Sequence, residues 1–285
     1  MDVFPAKFLN FMIAFVNIIL LMFNTSSANK KEPTLDVSGL ELTFEDEFDG
    51  DELDETKWGA HDSFGVRKGG YWTREQASVE DGCLVIRTQY KEDGAFGPGW
   101  YTCGLDTSRS FKQAYGYYEC RCILPKGEGL WSAFWMINSN VGKESDDALA
   151  GAELDIMESP FWHLGGKKSW KITQNIHYSG YNLKTKYKNV GIFRLDNDPY
   201  ENFNTYGLMW TPDEYIFYIN GREVARTTYG GVSTQPEYMI LSCEVDGGDG
   251  KPTFGWSGNI EKNDKATFCA EYKVDYVRAY ALPED

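Results

Sequence analysis

Short stretches in which apolar and polar residues alternate follow one another along most of the chain, and this pattern constrains the fold more than any other feature. The clearest stretches cover residues 78–88, 115–124, 133–137, 153–158, 171–178, 206–210, 215–219, 238–245 and 272–280. Alternation with a period of two is typical of β-strands that have one buried face. The sequence has no long stretch of helical periodicity and no internal repeat. It therefore predicts an all-β protein.

Turn-forming residues separate these stretches and predict how they are connected. They are Asp81-Gly82, Lys126-Gly127, Thr211-Pro212-Asp213, Asn220-Gly221 and Gly247-Gly248. Asn220-Gly221 lies between two alternating stretches, and Asn-Gly suits the type I′ turn of a β-hairpin. Because no Pro-rich or Ser-rich linker follows Pro33, we predict that residues 29–285 form a single domain, a sandwich of two β-sheets.

Residues 1–28 have the composition of a secretory signal peptide. Lys7 precedes an apolar run at residues 8–23, and small polar residues follow up to Ala28. A run of about 16 residues is short for a membrane-spanning helix. We expect cleavage after this segment and an extracellular protein, with an uncleaved membrane anchor as the alternative.

The net charge of −15 limits the partners of the chain. Such an acidic protein repels polyanions, so we expect no nucleic-acid ligand and, after signal cleavage, no membrane contact. The chain also contains 9 Trp, 18 Tyr and 17 Phe. These rings suit either a β-sandwich core or a surface that stacks on sugars. We expect the protein to be a monomer.

The six cysteines allow either disulfides or free buried thiols. They are Cys83, Cys103, Cys120, Cys122, Cys243 and Cys269. Full pairing would allow 15 combinations. Cys120 and Cys122 point the same way from one strand and are badly placed to bond each other. The spacing does not resemble a zinc site, so both alternatives stay open.

Three carboxylates lie within six residues of an otherwise apolar stretch: Glu153, Asp155 and Glu158. Glu153 and Asp155 share one face of a strand, whereas Glu158 would point to the opposite face of a regular strand. A β-bulge at Ile156-Met157 would count two residues as one and return Glu158 to the shared face. Repulsion and desolvation oppose such a cluster, so we interpret it as functional. An exposed cluster on an edge strand is the alternative.

Paired carboxylates suit the cleavage of a glycosidic bond. One carboxylate must be ionised to attack the anomeric carbon, while the other must be protonated to release the leaving oxygen. A third acid between them can hydrogen-bond the nucleophile and help to hold the two protonation states apart. The cluster at residues 153–158 therefore predicts a glycosidase active site.

Several segments in a fixed order carry a family resemblance. They are residues 42–50 (LTFEDEFDG), Lys57-Trp58, residues 116–121 (GYYECR), residues 153–158 (ELDIME) and residues 274–278 (VDYVR). The chain resembles the family 16 glycoside hydrolases, whose signature is E-x-D-x(x)-E, in the bulged form with the additional residue. The resemblance implies a β-jelly-roll sandwich with a sugar cleft along its concave sheet. It also implies Glu153 as nucleophile, Glu158 as acid/base and Asp155 as their assistant.

The resemblance also narrows the substrate. In this family the bulged motif goes with laminarinases, agarases and carrageenases, and the net charge disfavours the sulfated polymers. We therefore expect a retaining endo-hydrolase of β-1,3- or mixed-linkage β-1,3-1,4-glucan. The substrate-binding residues expected from the resemblance and from rim loops are Trp131, Trp135, His177, Trp72, Arg74 and Trp256. For one of Trp131 and Trp135, and for His177, a place in the core is the alternative.

We expect no cofactor for catalysis. The resemblance implies a possible structural calcium on the convex side, bound by Asp275, the Gly82 carbonyl and a group near Glu47, since calcium accepts mixed carboxylate and carbonyl oxygens. Three other functions stay open: a β-agarase or galactanase, a non-catalytic glucan-recognition protein, and a transglycosylase. The presence of all three acids argues against the recognition protein.

Overall fold

The computed structural model describes residues 35–182 and 184–283, so the predicted signal peptide lies outside the described residues. The described chain forms strands and short 3₁₀ helices. The strands are β1 (Glu41–Asp46), β2 (Gly59–Ala60), β3 (Ser63–Val66), β4 (Gly70–Trp72), β5 (Ala77–Glu80), β6 (Cys83–Lys91), β7 (Gly99–Thr102), β8 (Gly104–Asp106), β9 (Gly116–Ile123), β10 (Leu130–Ile137), β11 (Glu153–Ser159), β12 (Lys171–Tyr178), β13 (Lys186–Arg194), β14 (Asn204–Trp210), β15 (Tyr215–Ile219), β16 (Arg222–Thr227), β17 (Tyr238–Val245) and β18 (Cys269–Ala281). The 3₁₀ helices are Arg67–Gly69, Arg74–Gln76, Trp162–Leu164, Gly166–Ser169 and Ile260–Lys262. In this part of the chain no helix is long and apolar enough to span a membrane.

The strands form two sheets, which we call the front sheet and the back sheet. The front sheet has the order β13-β12-β11-β10-β17-β8-β2. The back sheet has the order β16-β15-β14-β9-β18-β6-β7-β4-β3, with β1 paired to β18 and β5 paired to β6. Neighbouring strands are antiparallel except β4 and β7, which are parallel. The prediction of an all-β sandwich is therefore confirmed.

Most strand boundaries agree with the alternation in the sequence. Strands β12, β15 and β17 have the predicted limits. Asn220 and Gly221 have φ angles of 49° and 72°, as the type I′ turn between β15 and β16 requires. Residues 78–88 instead form two strands, because Asp81-Gly82 makes a second turn of this kind with φ angles of 50° and 73°. Edge strand β13 was not predicted, because most of its side chains are exposed or half-exposed and show no alternation.

The core lies between the sheets and receives alternate side chains from both. Leu154 and Ile156 of the front sheet and Leu208 of the back sheet are fully buried. Burial of each such side chain stabilises the fold by about 1.5–3 kcal/mol. All six cysteines are free, and five of them are buried while Cys269 is exposed. The free-thiol alternative is therefore the one that the structure supports.

Candidate active site

Strand β11 carries a bulge that turns its three acids towards the same side of the front sheet. Against strand β12, Asp155 pairs with Asn175 and Glu158 pairs with Thr173, so three steps along β11 match two steps along β12. The extra residue lies within 156–157, and both of these side chains are fully buried in the core. The predicted bulge is confirmed at this position.

The three acids line a cavity of about 530 Å³ on the front sheet. The lining residues are Trp131, Ala133, Trp135, Glu153, Asp155, Glu158, Asn175, His177, Tyr181, Tyr187, Asn189, Ile192, Ser242, Glu244 and Trp256. A cavity of this size fits small organic ligands, and the mixture of aromatic rings with a few converging polar groups is typical of a binding site.

Glu158 is buried, as is Asp155, whereas Glu153 is only half-buried. Trp131 donates a hydrogen bond from Nε1 to its Oε1 at 2.8 Å, and Asn175 donates from Nδ2 to its Oε2. Burial raises the pKa of Glu158 well above its ordinary value, and the negative charge of Asp155 raises it further. Glu158 is therefore suited to hold a proton at neutral pH and to act as an acid.

Glu153 lies at the start of β11 and is only half-buried. The Tyr181 hydroxyl donates a hydrogen bond to its Oε2. One oxygen of Glu153, one of Asp155 and a ring nitrogen of His177 all lie within 4.8 Å of one another, a spacing that could also hold a divalent metal ion. Nε2 of His177 is 3.3 Å from Oδ2 of Asp155, and its ring stacks on Tyr187 with centroids 5.4 Å apart. Glu153, the most exposed of the three acids, thus lies close to Asp155 and to the imidazole of His177.

The predicted tryptophans of strand β10 both face the cavity. Trp131 and Trp135 are half-buried and line it, as their separation of four residues predicts. Trp135 donates from Nε1 to Oγ of Ser242 at 3.1 Å. Trp256 approaches Trp131 edge-on, with ring centroids 5.3 Å apart. His177 also lines the cavity, so the alternative of a core histidine is not what the structure shows.

The comparisons with known proteins agree with this geometry. A family model described as the GH16 domain of β-porphyranases A–D matches residues 40–282. The chain belongs to glycoside hydrolase family 16. The matched residues include most strands of both sheets and all three acids of the cluster.

Relatives within family 16 carry glucanase names. Endo-1,3-1,4-β-glycanase EglC of Rhizobium meliloti is 29% identical, and the alignment covers 93% of this chain but only 58% of EglC. A β-glucanase of Rhodothermus marinus is 28% identical over 86% of each protein. The X-ray structure of the endo-β-1,3-glucanase from Pyrococcus furiosus superposes with a TM-score of 0.68 at 26% identity, covering 86% of this chain and 96% of that one. The chain therefore shares the jelly-roll fold of family 16.

Two residues predicted to bind substrate lie outside the cavity of this family 16 chain. The Arg74 guanidinium binds the Ala77 carbonyl oxygen at 2.6 Å and Glu55 Oε1 at 3.1 Å, in a separate groove, so its prediction as a cleft residue is corrected. Trp72 lies against Gly104 of β8 and donates from Nε1 to the Cys243 carbonyl oxygen at 2.9 Å. It borders the front sheet beyond the cavity instead of lining it.

The residues expected to bind calcium are engaged in ion pairs. Asp275 contacts the guanidinium of Arg121, and Glu47 forms two hydrogen bonds with Arg278 at 2.6 and 3.0 Å. The carbonyl of Gly82 belongs to the tight turn between β5 and β6. An arginine already pairs with each of the two carboxylates, so no calcium enters the chemistry below. Calcium binding itself stays a prediction.

Several cavity residues were missed at the level of sequence. They are Asn175, Tyr181, Tyr187, Asn189, Ile192, Ser242 and Glu244. Ser242 and Glu244 could have been found, because two polar residues with a spacing of two interrupt an otherwise apolar strand. The residues of edge strand β13 and of the loop before it offer no comparable signal.

Proposed function

We propose that the chain is an endo-acting, retaining hydrolase of neutral β-1,3-glucan or mixed-linkage β-1,3-1,4-glucan. The observation that carries the proposal is the contrast between two glutamates in one cavity. Glu158 is buried and has a raised pKa, whereas Glu153 is half-exposed and accepts a hydrogen bond from a phenol. Family membership and the glucanase names of the relatives support the same reaction class.

In the first step a Glu153 oxygen attacks the anomeric carbon while Glu158 gives its proton to the leaving glycosidic oxygen. This step forms a glycosyl ester on Glu153 and releases the reducing-end part of the polymer. In the second step ionised Glu158 takes a proton from water, which attacks the same carbon and restores the Glu153 carboxylate. Asp155, between them on the same face, keeps the two protonation states apart through its negative charge, which favours protonated Glu158.

The charge of the cavity favours a neutral polymer. Four of its lining residues have carboxyl groups, Glu153, Asp155, Glu244 and the protonated Glu158, and among the described lining residues none is lysine or arginine. A sulfated sugar would enter this field at an electrostatic cost. The aromatic rings of Trp131, Trp135 and Trp256 can instead stack on uncharged glucose faces.

A galactan hydrolase is the second candidate, because the matching family model is of the porphyranase type. The discriminating experiment incubates the purified protein with laminarin, barley β-glucan, agarose, porphyran and xyloglucan, followed by a reducing-end assay and product sizing. We expect short oligosaccharides from laminarin or barley β-glucan. Cleavage of agarose or porphyran alone would contradict the glucanase proposal. Binding without cleavage would indicate a recognition protein, and products longer than the substrate a transglycosylase.

We further propose that the protein is secreted and acts as a monomer. The composition of residues 1–28 supports secretion. N-terminal sequencing of the secreted protein should begin near Asn29, and a mature chain that still starts at Met1 would contradict the proposal. Light scattering of the purified protein should give the mass of one chain.

A further inference from the structure

Tyr181 reaches the nucleophile from a loop that connects β12 to β13. Its hydroxyl donates to Glu153 Oε2, yet the residue as a whole is 59% exposed. An exposed ring contributes little to the core. The hydrogen bond to Glu153 therefore gives Tyr181 a reason to lie in the cavity.

Hydrogen bonds to Gly180 and left-handed torsions set the path of the chain just before Tyr181. Ser179 and Gly180 have φ angles of 71° and 82°, and a left-handed conformation is costly for serine. The N–H of Gly180 donates to the Val141 carbonyl at 2.7 Å, and Thr185 Oγ1 donates to the Gly180 carbonyl at 2.8 Å. These contacts fix the direction in which the chain enters Tyr181.

The hydrogen bond acts differently on the two steps of the double displacement. A phenol O–H stabilises a carboxylate more than an ester, because the full negative charge is the stronger acceptor. Glu153 loses its charge when it attacks the sugar and regains it when the sugar leaves. The bond therefore opposes the first step and assists the second.

We propose that Tyr181 is a positioning residue that speeds the release of the sugar from Glu153, an inference that rests on the proposed function. In this step the bond between a water oxygen and the anomeric carbon forms, and the bond between that carbon and the Glu153 oxygen breaks. The electron pair of the broken bond returns to the carboxylate, and the water proton moves to Glu158. Tyr181 keeps its own proton throughout and directs it at the carboxylate.

The electrostatic surroundings of the phenol suit this role. Loss of water around the hydroxyl raises the pKa of Tyr181, and the neighbouring negative charge of Glu153 raises it further. The hydroxyl therefore stays a donor across the pH range in which a glycosidase works.

The test compares Tyr181→Phe with the wild type on an aryl β-glucan oligosaccharide whose dinitrophenolate leaving group needs no proton. Loss of the donor should slow the second step about tenfold, the factor that corresponds to about 1.4 kcal/mol. We expect a burst of one dinitrophenolate per enzyme, a covalent adduct in the intact mass spectrum, and kcat and KM that fall together. The control is Tyr218→Phe, on strand β15 of the back sheet.

Three outcomes would contradict the proposal. If Tyr181→Phe behaves like Tyr218→Phe, with the same rate of the second step and no additional adduct, Tyr181 does not assist the second step. If its first step slows and no adduct accumulates while its melting temperature is unchanged, the assigned direction of the effect is wrong. If the wild type releases no dinitrophenolate from glucan or galactan oligosaccharides, the proposed function itself fails, and the proposal fails with it.

Discussion

Glu237 is a buried acid that contacts the backbone next to the candidate nucleophile, and its titration should affect the stability of the protein. Its side chain is fully buried, and its Oε1 accepts a hydrogen bond at 3.0 Å from the N–H of Ala152, the residue before Glu153. Burial raises the pKa of Glu237 from 4.5 to about 8. At neutral pH the folded protein therefore holds this carboxyl in its protonated form, whereas the unfolded chain holds it ionised.

The sign of the effect follows from this difference. Between pH 4.5 and about 8 the folded state binds one proton more than the unfolded state at this position, so stability falls as the pH rises through that range. At pH 7 the unfolded chain gains stability by releasing this proton, which lowers the free energy of unfolding by about 3 kcal/mol, from a difference of 2.5 pH units (7 minus 4.5) at about 1.36 kcal/mol per unit. Below pH 4.5 the carboxyl is protonated in both states, so this loss of stability disappears.

Glu237→Gln should remove this loss, because an amide resembles a protonated carboxyl and its oxygen can still accept from Ala152. We expect the variant to be about 3 kcal/mol more stable than the wild type at pH 7 and nearly equally stable near pH 4.5. Urea unfolding at pH 4.5, 6, 7 and 8 measures both curves, and their difference isolates Glu237 because the remaining groups titrate alike. Glu41→Gln, at an exposed position on β1, is the control and should change neither curve. A variant that is less stable at pH 7, or a difference that does not grow with pH, would refute the reasoning.

Three further predictions concern the cavity. With Glu158→Ala, azide should restore turnover of an activated aryl glycoside and give the β-glycosyl azide. With Glu153→Ala, azide should give the α-glycosyl azide. Opposite anomers would reverse the two roles, and full activity of both variants would place the active site elsewhere. Trp131→Phe removes a donor that lowers the pKa of Glu158, so the alkaline limb of the pH profile of kcat/KM should shift to higher pH, and an unchanged or lower limb would contradict the role of this hydrogen bond. Trp135→Ala should clearly raise KM for the polymer while it lowers the melting temperature only slightly. A stability loss of about 3–5 kcal/mol with unchanged KM would instead assign the ring to the core.

Local sequence patterns predict the parts of this fold whose strands have one buried face. Strands β12, β15 and β17 have their predicted limits because most positions on their buried faces are apolar and turn residues end them. Strand β13 lies at an edge of the front sheet, where few side chains are buried and the pattern is lost. The acidic cluster was predictable because burial of charge has no structural benefit.

The rest of the site depends on tertiary geometry that local patterns do not record. Arg74 was assigned to the cleft because residues 72–74 were expected to form a rim loop, yet its side chain binds Glu55 in another groove. Tyr181 reaches Glu153 only because Ser179 and Gly180 turn the chain through left-handed conformations. The direction of a side chain from a loop depends on such torsions, and sequence alone does not specify them.

The bulge in strand β11 links the shape of the sheet to the chemistry of the site. Without the extra residue, the Glu158 side chain would lie on the opposite face of β11 and point into the core, where a charged group is costly. With it, Glu158 faces the cavity but remains buried beneath Trp131 and Asn175, and this burial is the main cause of its raised pKa. Glu153, at the exposed start of the same strand, lies outside this region. One inserted residue therefore places both glutamates on one face while leaving them in surroundings different enough for an acid and a nucleophile.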